Sequence, residues 1–126
     1  MPKSRKRRAV ILVGLEHSDL ADRLRLKGLE TMEAASPEAV PSLLRTMPRS
    51  AIVVYNRGAA SRDAQQVLAA VAALHRRAPV VVLVDETDFG EYYSLMGSGA
   101  LEYFAMSERP ELIVRGIEWA TEDRAS

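Results

Sequence analysis

Cysteine is absent from this chain, and so are long hydrophobic runs and any excess of charge. Without thiols there is no disulfide framework and no thiolate for nucleophilic or metal chemistry, which suits a cytoplasmic protein. No apolar stretch approaches the roughly 18 residues of a membrane span. The basic start is not followed by the apolar core and small-residue cleavage site of a secretory signal. Hydrophobic residues make up 48% and charged residues 27% of the 126 positions, which fits one globular core rather than a disordered chain. The zero net charge conceals an asymmetry. Lys3, Arg5, Lys6, Arg7 and Arg8 supply five of the seventeen basic residues, leaving twelve against seventeen acids, about −5, from Ala9 onward.

What is present is an alternation of short apolar runs with helical periodicity, repeated five times. Ala9 to Leu15 reads as a strand buried on both faces, and Leu29 to Ala34 as a more polar edge strand. Ala51 to Tyr55, Val80 to Val84 and Glu102 to Met106 read as three more, with Asn56-Arg57-Gly58 as a loop. Between them, Ser18 or Asp19 caps a helix stopped by Gly28, and Ser36 caps one with Pro37 in its first turn and Pro41 shortening it. Ser61 caps a helix with Ala64, Val67, Leu68 and Val71 at helical spacing, and a fourth helix stops at Gly97-Ser98-Gly99. The last runs from Pro110 to Glu122. Such an order predicts βαβ units and a parallel sheet covered on both faces. The expected division is a basic, disordered tail over 1–8 and a single domain over 9–126.

The carboxyl ends of strands are where an open parallel sheet places its ligand or catalytic groups. Here they carry Gly14-Leu15, Tyr55-Asn56, Val84 and Met106, none of them equipped for catalysis. Binding is therefore expected rather than an enzyme activity. His17 and His75 each lack the partner that a ligand pair needs. No catalytic residue, metal ligand or cofactor is assigned. Glu16 with Asp85, Glu86 and Asp88 offers the one imaginable cation site, against the ordinary reading of such carboxylates as helix-capping or solvated.

Several stretches, in order, resemble the receiver domain of bacterial response regulators. They are Gly28-Leu29-Glu30 with Ala34 and Glu38-Ala39-Val40, then Pro79 to Leu83, then Gly99-Ala100-Leu101-Glu102-Tyr103-Phe104. The nineteen-residue interval from Val84 to Tyr103 fits as well. The resemblance implies a single doubly wound, flavodoxin-like (βα)5 domain with a parallel sheet in the order 2-1-3-4-5. Receivers carry a phosphoacceptor aspartate after the third strand, two acids for Mg²⁺ after the first, a hydroxyl after the fourth and Lys-Pro after the fifth. In this chain those places fall at Tyr55, at Gly14 and Leu15, at Val84 and at Met106-Ser107, with Asn56 the alternative to Tyr55. Gly14 and Leu15 offer Mg²⁺ no side-chain oxygen, and Tyr55 no carboxylate to phosphorylate. The resemblance is thus to a degenerate, pseudo-receiver type in which Tyr55 plugs the old pocket.

In that family the fourth helix, fifth strand and fifth helix dock partners. On the last helix Ile113, Ile117 and Ala120 form a stripe for the sheet, while Leu112, Gly116 and Trp119 form a second one. Gly116 costs a helix about 1 kcal/mol against Ala, which calls for something packed closely against it. Tyr92, Met96 and Tyr103 extend the candidate face. The alternative is that Trp119 and Tyr103 fold over their own core. The expectation is a phosphorylation-independent interaction or dimerisation module in bacterial signal transduction, pairing with itself or with another signalling protein. The charged end, Glu122-Asp123-Arg124, would suit an N-terminal input domain feeding a helical linker. A rival reading has a small molecule or cation sensed in a pocket lined by Gly14, Tyr55, Val84 and Met106. Nucleic acid is disfavoured by the acidic body, except for weak contact through the basic tail.

Overall fold

The computed structural model describes residues 8–16, 18–58, 60–74 and 78–122. Five strands, β1 (Ala9–Val13), β2 (Glu30–Ala34), β3 (Ser50–Asn56), β4 (Val80–Val84) and β5 (Glu102–Ala105), form one parallel sheet in the order β2-β1-β3-β4-β5. Five helices alternate with them: α1 (Leu20–Leu26), α2 (Val40–Thr46), α3 (Asp63–Ala73), α4 (Phe89–Gly97) and α5 (Pro110–Thr121). The expected doubly wound topology is the observed one.

The period of two within each strand decides which helix covers which face. Ile11, Val13, Ile52, Val54, Val80 and Val82 point to one side, against Val40 and Leu44 of α2, Val67 of α3 and Leu95 of α4. Val10, Leu12, Ala51, Val53, Val81 and Leu83 point to the other, against Leu20 and Leu24 of α1 and Ile113 and Ile117 of α5. β1 and β4 are buried at every position because they have a helix layer on both sides. The edge strand β2 leaves Glu30 and Glu33 exposed, as its polar sequence anticipates.

Several boundaries differ from the sequence expectation. The first strand ends at Val13 rather than Leu15, because Gly14 turns the chain with φ +77°, while its N–H still bonds the Ala34 carbonyl at 3.0 Å. Asn56 lies in β3, not in the following loop, since its register with Val84 continues the ladder. The last sheet strand stops at Ala105, although the Met106 N–H reaches the Val84 carbonyl at 2.7 Å. Ser36 and Ser61 do not cap their helices by side chain. Pro37–Ala39 forms a turn of 3-10 helix before α2, so Pro41 falls in the first turn of α2, where proline is tolerated, and the helix is short as expected. The Ser61 hydroxyl accepts from the N–H of Asp63, the first residue of α3, at 3.3 Å, but Ser61 lies one residue ahead of the N-cap position, which Arg62 holds. Gly28 does end α1 with φ +85°, as expected. Of the expected tail, residues 1–7 lie outside the described residues. Arg8 already belongs to the sheet's margin, its carbonyl accepting from the Glu30 N–H at 3.0 Å.

Candidate functional site

The carboxyl ends of the strands meet at Gly14-Leu15, Tyr55-Asn56, Val84 and Ala105-Met106. Leu15 is buried in the layer shared with α1 and α5, so its side chain serves the core. Val84 is also buried, on the opposite face, and Met106 is exposed. Of the four positions expected to line a vacated pocket, Gly14 and Tyr55 stand together, a Cβ at 14 falling 3.8 Å from the Tyr55 Cβ, whereas Val84 turns to the other layer from Tyr55.

Tyr55 and Asn56 are adjacent in sequence and opposite in direction. Tyr55 packs against the α1–α5 layer and donates its hydroxyl proton to Asp85 Oδ1 at 2.5 Å. That hydrogen bond, then burial, raises its pKa above the usual phenol value. The guanidinium of Arg57 sits 5.7 Å from its ring centre. Asn56 points the other way, to the face of Val54 and Val84, and is 1% exposed. Its Oδ1 accepts from the Ala64 N–H at the start of α3 at 3.1 Å, and its Nδ2 donates to Glu91 Oε2 of α4 at 2.6 Å. A backbone N–H can only donate, which fixes the amide's orientation.

Glu91 continues the chain of contacts. Its Oε1 accepts the Tyr103 hydroxyl proton at 2.7 Å, and the same hydroxyl oxygen accepts from the Asp88 N–H at 3.0 Å. Asp88 in turn caps α4, its Oδ2 accepting from the Glu91 N–H at 2.8 Å. Burial, with the bond to Glu91 next, pushes the Tyr103 phenol up to about 12. One amide thus ties the end of β3 to the first turns of α3 and α4, and through Glu91 to β5. Sequence reading gave Asn56 no such role. The parity of Ile52, Val54 and Asn56 is the signal that puts it on the α3–α4 side.

The carboxylates considered for a cation are mostly engaged locally. Asp85 holds Tyr55, Asp88 caps a helix, and Glu16 and Glu86 are exposed. Among the described residues no group of three or more His, Asp and Glu side chains is placed to hold a metal ion. His17 and His75 lie outside the described residues.

The expected interaction face divides at the edge strand. Tyr92 and Tyr103 meet edge to face, 5.4 Å between ring centres, on the α4 side, while Met96 packs largely into the core there. Leu112 and Trp119 are partly exposed on α5, across the strand from them. Gly116 is explained internally, which corrects the expectation of an outside contact there. A Cβ at 116 would stand 2.6 Å from the Phe104 ring, so β5 itself fills the space that the glycine leaves. Two exposed rings were overlooked. Phe89 is 73% and Tyr93 63% exposed, and they contact each other edge to face at 4.7 Å, with Tyr92 6.0 Å from Tyr93.

No family model matches the chain, and no curated protein matches it in sequence. Solved structures do match in shape. The FixJ-N structure shares 19% identity over 98% of this chain and 99% of its own, with a TM-score of 0.79. A response regulator from Thermotoga maritima is 13% identical over 94% of this chain and all of its own, with a TM-score of 0.75. The signal receiver domain of a modulated diguanylate cyclase from Desulfovibrio desulfuricans G20 is 18% identical over 90% and 92%, with a TM-score of 0.69. The fold is that of a response-regulator receiver domain. The 2-1-3-4-5 sheet and five alternating helices place the strand ends, α4 and β5 of this receiver fold as the resemblance anticipated. Among the described residues no helix is long and apolar enough to cross a membrane.

Proposed function

We propose that this chain is a pseudo-receiver, a phosphorylation-independent interaction module of bacterial signalling that pairs with itself or with another signalling protein. One observation carries the reading: Asn56 stands in register with Val84, on the same face, and spends its amide on Ala64 and Glu91. Of the two candidates for the phosphoacceptor place, this register favours Asn56 over Tyr55, which faces the other layer. A carboxamide is no acceptor for a phosphoryl group, Val84 has no hydroxyl, and Gly14 and Leu15 offer Mg²⁺ no oxygen ligand from a side chain. A receiver without this chemistry keeps its docking surface, here the rings of α4 and the Leu112–Trp119 flank of α5.

The test is an NMR titration with Mg²⁺ and beryllofluoride, a phosphoryl mimic. The expected result is no shift at Gly14, Asn56, Val84 or Met106. Saturable shifts there would overturn phosphorylation independence.

A further inference from the structure

We propose that the basic segment Lys3–Arg8 of one copy docks on the acidic, aromatic face of α4 in a second copy. From Ala78 to Glu108 the chain carries six acidic residues and no lysine, arginine or histidine. This span forms β4, α4 and β5, and it presents the exposed rings of Phe89, Tyr93 and Tyr92. Asp85, Glu86 and Asp88 lie exposed just before those rings. Solvent-facing rings beside carboxylates match one ligand chemistry well, a run of guanidinium and ammonium groups. The ring faces attract cations within about 6 Å, and the carboxylates add charge attraction.

The same chain supplies that ligand. Residues 3–8 carry five cations in six positions, opposite in sign to a body of about −5 from Ala9 onward. Geometry favours a second copy over the chain's own face. Lys6, Arg7 and Arg8 lie within three residues, about 10 Å of extended chain, of the start of the central strand β1. The helix α4 begins after the far end of β4, about 17 Å along the sheet and two strands across. The dense end of the basic run falls short of its own rings, while a neighbouring copy can present it directly. The inference rests on the self-association reading above and names the contact that drives it.

Sedimentation velocity and NMR on the full-length chain test it. Wild type is compared with Arg5→Glu/Lys6→Glu/Arg7→Glu and with Phe89→Ser/Tyr93→Ser, the two rings being exposed. Both variants are expected to weaken association about tenfold, as is salt that shortens the Debye length to about 3 Å. A synthetic peptide of residues 1–9 is expected to shift the Phe89 and Tyr93 ring signals in the charge-reversed variant. Association unchanged by charge reversal overturns the docking and leaves self-association standing. A wild type that stays monomeric overturns both. Charge reversal that abolishes binding to DNA or anionic vesicles but leaves association intact assigns the segment to a phosphate surface and also overturns the docking.

Discussion

The side chain of Asn56 has no freedom left, since its oxygen and nitrogen are each bonded to a different helix. Replacing it by alanine strands the buried Ala64 N–H and frees Glu91 from the sheet. Asn56→Ala is expected to lose about 2 kcal/mol in urea denaturation, and a loss below the error of the method would show the tie to be idle. Tyr103 makes a prediction about pH. Its phenol is pushed up from 10.0 to about 12 in the folded chain, so between those values the unfolded chain sheds a proton that the folded chain keeps. Stability therefore falls as pH rises from about 10 to about 12. Tyr103→Phe should flatten part of that slope, with Tyr55 responsible for some of the remainder. Identical slopes for wild type and variant would refute the assignment. These roles were poorly legible in the sequence because they join residues 35 and 12 positions apart. Local pattern registers an asparagine after an apolar run as a turn, and only strand parity reveals that it faces inward.

At the scale of elements, the order of strands and helices was legible because buried parallel strands are unbroken aliphatic runs between helical periods. Ends were less so. Ser61 serves the Asp63 N–H, yet the next N–H of α3, that of Ala64, draws its acceptor from β3, a partner that no local motif encodes. The glycine in α5 shows the same limit. Its spacing with Leu112 and Trp119 suggested a stripe for an outside partner, whereas the Phe104 ring of β5 occupies the space. Gly116→Ala should accordingly cost about 1 kcal/mol net, overpacking outweighing the gain in helix propensity. In a Phe104→Leu background the same change should become stabilising. Thermal melts of the four proteins form the cycle that checks the coupling. The stripe of Ile113, Ile117 and Ala120, by contrast, was read correctly as the buried side of α5. Ile117→Ala, at a fully buried site, should lose about 2–5 kcal/mol.

For the whole molecule, the receiver fold was legible from motifs scattered along the chain, while what the domain binds was not, because an interface leaves no period of its own. If α5 contributes to association, Trp119→Ala should weaken dimers in sedimentation without losing the fold. Unchanged association would confine the contact to α4 and β5. The margins of the sheet limit how copies can join at all. β2 carries the exposed Glu30 and Glu33 at one rim, and β5 carries Glu102 at the other. Laying the β2 rims of two copies side by side would line the seam with four carboxylates, with no cation in either strand to offset them. Strand-to-strand pairing is thus disfavoured at the β2 rim, which leaves the helix surfaces as the faces open to contact between copies.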